Sequence, residues 1–231
     1  MKYYKNLFID LDDTLLDTAQ NNRECLEELY ADYHMERHYA SFEAFYNIYM
    51  PHNLELWAQY RKGEINKQTL VVERFRYVFR PLGIEDTQTV LKINWDFLER
   101  TTHKKKTIEG AQELMAYLSR RYRTFILSNG FREVQAKKLA SAGLEPYFSK
   151  MILSEDANIQ KPHKKIFDYA LINTNSRRSE SLMIGDSWDA DIVGAYNSHI
   201  DQIWFNPAGL EPQGFIPTHT VKTLQEICNI L

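Results

Sequence analysis

Two acidic side chains, Asp10 and Asp12, follow an apolar run near the start of the chain and are well suited to do chemistry. Residues 5–9 are predicted to form a buried strand. Because strand side chains alternate between faces, the two carboxylates should point the same way. Two anions about 4 Å apart repel by roughly 4 kcal/mol at an effective dielectric near 20. A cation, a proton or solvent must offset this repulsion, and carboxylate and carbonyl oxygens suit Mg²⁺.

A positioned carboxylate can also attack phosphorus. Unless its surroundings strongly perturb it, Asp10 is expected to be ionised at neutral pH, since a free Asp has a pKa of about 3.9, and its attack would form an aspartyl-phosphate. Asp12 could protonate the leaving oxygen and later deprotonate the attacking water. That role needs a raised pKa, and we expect neighbouring acids to raise it. For the Asp-x-Asp pattern alone, an acidic turn that solvates itself is an equally good interpretation.

Three further polar segments could complete a phosphate site. Ser128-Asn129-Gly130 offers a hydroxyl and backbone N–H donors ahead of a predicted helix. Lys161 could neutralise both a phosphoryl group and Asp10. Asp186 and Asp191 lie in an acidic loop that could complete an oxygen-ligand shell around Mg²⁺. Each segment alone is compatible with an ordinary turn, a surface charge or a helix start, so the hypothesis depends on their occurring together.

Several of these polar residues follow short apolar runs that are predicted to be strands. After the first strand the predicted strands are 124–127, 150–153, 181–184 and 202–205. They alternate with helical patterns, which predicts an α/β fold with a parallel sheet covered by helices on both faces. Ligands bind beyond the carboxyl ends of the strands in such sheets. The sheet should therefore gather Asp10, Asp12, Ser128 and Asp186 at one edge.

Between the first two strands, apolar residues recur at helical spacing from about residue 18 to about residue 99. A connection of this length implies an inserted domain rather than a loop. The predicted domains are a core of residues 1–16 and 107–231 and a helical insert of residues 17–106. Thr107 is predicted to cap the helix before the second strand, and Pro162 to lie in the first turn of a helix over 163–171.

Composition excludes several classes of protein. The net charge of −3 and pI of about 6.2 argue against a general binder of nucleic acid or of anionic membranes. The apolar run near the N-terminus is too short for a signal peptide or a membrane span. Cys25 and Cys228 are far apart and fall in no metal-binding spacing, so we expect reduced thiols and a cytoplasmic location.

Taken together, the four segments resemble the motifs of the haloacid dehalogenase-like (HAD) hydrolase superfamily. Asp10-Leu11-Asp12-Asp13-Thr14 matches the first motif and Ser128-Asn129-Gly130 the second. Lys161-Pro162 matches the third motif, and Gly185-Asp186-Ser187 with Asp191 the fourth. The resemblance implies a Rossmann-like core with an inserted helical cap. The first motif of the family often has Gly where this chain has Asp13.

The resemblance also implies roles for individual residues. Asp10 would be the nucleophile and Asp12 the general acid/base, while Ser128, Asn129 and Lys161 would bind phosphate. Mg²⁺ would be held by the Asp10 carboxylate, the Asp12 backbone carbonyl and Asp186, with Asp191 supporting the site. The true dehalogenases lack an acid at the position of Asp12, so the resemblance implies phosphoryl chemistry.

A narrower resemblance, carried by residues 53–63, 128–131, 161–171 and 185–187, is to bacterial house-cleaning pyrimidine 5'-nucleotidases. It implies a Mg²⁺-dependent phosphomonoester hydrolase acting on a small phosphorylated metabolite, namely a pyrimidine nucleoside monophosphate. In the cap, Trp57 could stack on a base and Asn53 could hydrogen-bond its edge. Packing of the Trp57 region against other cap helices is the competing interpretation.

Other functions remain open at this point. A sugar-phosphate phosphatase or a phosphomutase would share all four motifs. A signalling domain phosphorylated on Asp would also use an acidic Mg²⁺ pocket, but such domains are about half this length and lack the insert. The sequence leaves the physiological substrate undecided, and it does not distinguish a monomer from a dimer.

Overall fold

The computed structural model describes residues 3–231, which divide into two compact units. One unit consists of the chain up to Ala19 together with Lys104–Leu231 and contains the whole β-sheet. The other unit, Gln20–His103, is helical. Within residues 3–231 no helix combines the length and the apolar character needed to cross a membrane.

The sheet has six parallel strands in the order β3-β2-β1-β4-β5-β6. The strands are β1 (Asn6–Ile9), β2 (Arg123–Ser128), β3 (Lys150–Leu153), β4 (Ser181–Gly185), β5 (Asp201–Phe205) and β6 (His219–Val221). The predicted parallel α/β fold is confirmed. The sequence prediction missed β6, because this three-residue edge strand is partly exposed and carries no apolar run.

Helices cover both faces of the sheet. Because strand residues alternate, Leu7 and Ile9 pack on one face and Phe8 on the other. The first face packs against α5 (Ala111–Leu118), α6 (Arg132–Ser141) and α10 (Leu224–Ile230). The second face packs against α8 (Lys164–Asn173) and α9 (Val193–Asn197). A short helix, α7 (Ser154–Ala157), follows β3.

Two predicted helix starts are wrong. Helix α5 begins at Ala111 after Gly110, whose φ of 82° favours glycine, and not at Thr107. Thr107 is instead held extended by a β-bridge to Leu16. Helix α8 begins at Lys164, with the His163 ring accepting from the Lys165 N–H, so Pro162 precedes the cap and follows a cis peptide bond.

The helical unit is built from α1 (Thr18–Asp32, whose first two residues belong to the sheet unit), α2 (Phe42–Lys62), α3 (Lys67–Phe79) and α4 (Thr87–His103). Side chains of Ser41 and Asn66 cap α2 and α3. The interior of the unit is aromatic. Tyr49 of α2 contacts Phe75 of α3 with ring centroids 5.5 Å apart, and Phe75 contacts Phe97 of α4 at 5.4 Å.

Candidate active site

The carboxyl ends of β1, β2 and β4 meet where the strand order reverses, and polar segments follow these ends. Ile9 is in register with Ile126 on one side and with Ile184 on the other. The main-chain N–H of Asp10 donates to the carbonyl of Ile184 at 2.9 Å. Ligands of open α/β sheets bind in this kind of crevice. The parallel register therefore gathers side chains from distant parts of the sequence.

The ammonium of Lys161 lies at the centre of the site and is buried. Its Nζ donates to Asp10 Oδ1 and to Asp191 Oδ1, both at 2.6 Å, and to the carbonyl of Leu127 at 2.7 Å. An ammonium has three N–H donors, so all of them are used within the chain. For Lys161 to bind a phosphoryl group, one of these contacts must be exchanged.

The charges of this buried group are strongly coupled. Burial raises the pKa of Asp10 well above its usual value, although Lys161 opposes the shift. Burial lowers the pKa of the Lys161 ammonium, but Asp10 and Asp191 more than offset this, so its pKa lies above the usual value. Lys161 therefore remains charged at neutral pH. The neighbouring carboxylates of Asp191, Asp186 and Asp12 raise the pKa of Asp10 further, in opposition to Lys161.

The acidic cluster has the donors that a metal ion needs. Carboxylate oxygens of Asp10, Asp186 and Asp191 lie within 4.8 Å of one another. Burial and the nearby Asp191 raise the pKa of Asp186 to about 7, and the Thr14 hydroxyl donates to Asp186 at 2.7 Å. When ionised, three carboxylates against one ammonium leave two negative charges uncompensated. Clustered oxygen donors with this charge fit a hard divalent cation such as Mg²⁺.

Asp191 is oriented by the turn that carries it. Trp188–Ile192 forms one π-helical turn, and the N–H of Ser187 donates to Asp191 Oδ2 at 3.1 Å. Gly185 lies against the same carboxylate, since a Cβ atom there would come within 2.3 Å of Oδ2. Glycine is therefore required at position 185 for steric reasons, because a side chain there would displace the Asp191 carboxylate from Lys161.

Asp12 has different partners from Asp10. Its Oδ1 accepts from Thr18 Oγ1 at 2.8 Å and from Lys138 Nζ at 3.1 Å, and its Oδ2 accepts from Gln135 Nε2 at 2.7 Å. Burial raises the pKa of Asp12, but Lys138 and these hydrogen bonds outweigh burial and lower it. The expectation that neighbouring acids raise this pKa is wrong, because a lysine outside the predicted segments pairs with the carboxylate.

Ser128 and Asn129 lie at the end of β2. Ser128 is buried, and its Oγ accepts from the Gly130 N–H at 3.0 Å. The Asn129 side chain donates from Nδ2 to the Lys161 carbonyl at 3.0 Å, and its Oδ1 accepts from the Lys161 N–H at 2.9 Å. Both polar groups of the Asn129 side chain thus hold the main chain of Lys161.

Replacement of Asn129 by alanine should therefore destabilise the sheet unit. The change leaves the Lys161 N–H and carbonyl without these partners, and we expect the free energy of unfolding to fall by about 1–3 kcal/mol. Urea denaturation measures the loss. Asn173→Ala is the matched control, because the exposed Asn173 side chain donates to the Tyr169 carbonyl of its own helix, α8. An equal, small loss in both variants would show that the hydrogen bonds from the Asn129 side chain to the Lys161 main chain do not stabilise the fold.

Gln135 and Lys138 were missed by the sequence prediction. They lie three residues apart on α6, so they share one face of the helix, and both donate to Asp12. The sequence signal that could have identified them is a pair of polar residues three positions apart, soon after Ser128-Asn129-Gly130. The spacing did not reveal the role, because it does not show that this helix face meets Asp12.

The two predicted substrate residues, Asn53 and Trp57, lie on α2 of the helical unit and are half-buried. Asn53 Oδ1 is buried and accepts no hydrogen bond from the described residues. The Trp57 ring packs edge-on against Tyr60, with centroids 5.8 Å apart. The seven predicted core residues thus come together in the sheet unit, whereas a substrate contact by Asn53 or Trp57 stays a prediction.

A model of the haloacid dehalogenase-like hydrolase family matches residues 4–198. The chain is 33% identical to the pyrimidine 5'-nucleotidase PynA of Streptococcus pneumoniae, over 99% of this chain and 95% of PynA. It is 31% identical to the pyrimidine 5'-nucleotidase YjjG of Escherichia coli, over 97% of this chain and 96% of YjjG. Both similarities extend over the sheet unit and the helical unit.

A solved structure is also similar. It is the HAD-hydrolase YfnB of Bacillus subtilis bound to magnesium, with a TM-score of 0.88 and 29% sequence identity. The similarity covers 100% of this chain and 99% of YfnB. The metal in that structure belongs to YfnB. In the present chain, the clustered oxygens of Asp10, Asp186 and Asp191 are the feature that fits such an ion.

Proposed function

We propose that this chain, which belongs to the haloacid dehalogenase-like hydrolase family, is a Mg²⁺-dependent phosphatase that removes the 5'-phosphate of pyrimidine nucleoside monophosphates. The observation that carries the proposal is the buried pairing of Asp10 with Lys161, beside Asp12 and Ser128. The substrate class is supported by PynA and YjjG, which bear the name pyrimidine 5'-nucleotidase and match nearly the whole chain.

In the proposed reaction, a carboxylate oxygen of Asp10 attacks phosphorus and the ester P–O bond breaks. The leaving oxygen takes a proton from Asp12, which gives the nucleoside and an aspartyl-phosphate. A water molecule then attacks the same phosphorus and gives a proton to Asp12. The bond between phosphorus and Asp10 breaks, and inorganic phosphate leaves with Asp10 restored. The lowered pKa of Asp12 suits the base of the second step, so Asp12 must take up a proton before it can act as the acid of the first step.

Other residues would bind the phosphoryl group and a metal ion. The Ser128 hydroxyl, the Asn129 main-chain N–H and the Lys161 ammonium are the proposed phosphate donors. The Asp10 carboxylate, the Asp12 main-chain carbonyl and Asp186 would hold Mg²⁺, which when bound neutralises phosphoryl charge. Asp191 supports the site through its contact with Lys161.

The helical residues 17–106 are proposed to act as the cap that selects the substrate. The unpartnered Oδ1 of Asn53 could accept a hydrogen bond from a base, and Trp57 could stack on it. We also propose a cytoplasmic location, in which the thiols of Cys25 and Cys228 would stay reduced.

A phosphate-release assay across a panel of phosphorylated compounds tests the proposed function. The panel contains pyrimidine and purine nucleoside 5'-monophosphates, sugar phosphates and pyrophosphate, each with Mg²⁺ and with EDTA. We expect the highest kcat/KM for a pyrimidine monophosphate, and no release in EDTA. Preference for a sugar phosphate would retain the core chemistry and reject the nucleotidase assignment. Absence of metal-dependent release from every compound would instead favour a mutase or a signalling role.

A further inference from the structure

Gln135 has no assigned role in the proposed reaction, yet its side chain is fully buried beside two residues of the site. Its Nε2 donates one hydrogen to Asp12 Oδ2 at 2.7 Å and the other to Ser128 Oγ at 2.8 Å. An amide nitrogen has two hydrogens, so both are used. Gln135 therefore links the proposed acid/base to the proposed phosphate-binding hydroxyl.

The contact with Gln135 decides what the Ser128 hydroxyl can do. A hydroxyl oxygen has two lone pairs and one hydrogen. Ser128 Oγ accepts from both the Gly130 N–H and Gln135 Nε2, so both lone pairs are occupied. No acceptor for the Ser128 hydrogen is found among residues 3–231. The hydroxyl is thus left as a donor, which is the role that an anionic phosphoryl oxygen requires.

The orientation of the Gln135 amide is set by Asp12 and has an energetic cost. If the amide were reversed, Oε1 would face the Asp12 carboxylate oxygen at hydrogen-bond distance and the two acceptors would repel. In the observed orientation, Oε1 is buried and has no hydrogen-bond partner within the described chain. An unsatisfied buried acceptor disfavours folding. A glutamine that served only to fill space would be replaced without this cost by an apolar side chain.

Gly130 provides the space for this arrangement. A Cβ atom at Gly130 would come within 2.2 Å of Gln135 Nε2. Real Cβ atoms do not approach a nitrogen so closely, so any side chain here would displace the amide. The glycine of the Ser128-Asn129-Gly130 segment and Gln135 thus depend on each other sterically.

We propose that Gln135 is a positioning residue of the phosphatase site. Its amide directs the Ser128 hydroxyl toward a phosphoryl oxygen and holds the Asp12 carboxylate beside it. This inference rests on the proposed function, and it gives a role to a residue of α6, the helix that also carries Lys138.

A double-mutant cycle of Gln135→Leu and Ser128→Ala tests the inference. The measured quantities are the Kd of inorganic phosphate with Mg²⁺, obtained by calorimetry, and kcat and KM for the best compound of the panel. We expect each single variant to raise the phosphate Kd about tenfold, as for the loss of one hydrogen bond to a charged group. The double variant should be no weaker than Ser128→Ala, because Gln135 acts on phosphate through Ser128.

Activity should separate the two contacts of Gln135. Gln135→Leu also removes a donor to Asp12, so we expect kcat to fall about 10-fold in addition to any change in KM. Gln135→Glu has the right shape but at most one hydrogen to donate, so it cannot serve both Asp12 and Ser128 and should not rescue both quantities. Gln112→Leu is the matched control, because Gln112 is partly buried and donates to the Ala142 carbonyl away from the site. It should lower the Tm without changing the phosphate Kd.

Two results would overturn the inference. One is a phosphate Kd and a kcat for folded Gln135→Leu that equal the wild-type values. The other is a double variant whose phosphate Kd is the full product of the two single effects. If Gln135→Leu fails to fold, Gly130→Ala displaces the same amide and enters the cycle in its place. Failure of the wild-type enzyme on pyrimidine nucleotides, with coupled phosphate binding retained, would reject the substrate assignment and not the role of Gln135.

Discussion

Replacement of Asp10 by asparagine is expected to abolish turnover while the protein stays folded. The amide cannot form the acyl phosphate, so kcat should fall by about four orders of magnitude or more, as when other covalent nucleophiles are removed. Phosphate release under saturating substrate and Mg²⁺ measures the loss. Asp189→Asn makes the same chemical change at an exposed acid of the fourth segment, and its kcat should stay within about twofold of wild type.

The stability of Asp10→Asn should show that the loss is catalytic. Burial raises the pKa of Asp10, and such an acid lowers the free energy of unfolding as the pH rises above its unfolded-state pKa, with the full cost reached above the folded-state pKa. Asparagine removes this cost, and Lys161 keeps its contacts with Asp191 and the Leu127 carbonyl. The free energy of unfolding at neutral pH should thus be unchanged or higher. Substantial turnover by a pure, folded variant would refute the covalent mechanism.

Replacement of Lys161 by methionine is expected to impair both stability and activity. Asp10 and Asp191 would then be buried without their cation, and removal of one partner from such a group typically costs about 3–5 kcal/mol. Loss of a charged donor to the phosphoryl group should lower kcat/KM by about a hundredfold or more. Urea denaturation without metal measures the first effect, and phosphate release measures the second.

Two further variants control the Lys161 experiment. Lys164→Met changes an exposed lysine three residues along the chain, and we expect almost no change in stability or kcat/KM. Lys161→Arg retains the charge, but a planar guanidinium does not match three acceptors that surround one nitrogen at 2.6–2.7 Å. Arginine should not restore activity. Wild-type stability in Lys161→Met would mean that the pairing with two carboxylates does not stabilise the fold.

Much of the fold could be predicted because strong local patterns specify it. Five of the six strands lie where apolar runs end in polar residues, and their parallel arrangement follows from the alternation with helices. Strand β6 has no such pattern, since a short edge strand buries little. Thr107 has the residue type of a helix cap, but its β-bridge to Leu16 holds the backbone extended, and this long-range contact outweighs the local preference.

The sequence by itself determined the set of core side chains, because Asp10, Asp12, Ser128 and Asp186 follow strand ends that a parallel sheet must bring together. Only the tertiary structure decided how these side chains are paired. Lys161 joins Asp10 to Asp191, while Gln135 and Lys138 reach Asp12 from a helix that local patterns do not place. The ionisation of Asp12 was therefore mispredicted, since a pKa depends on distances between charges that lie far apart in the sequence.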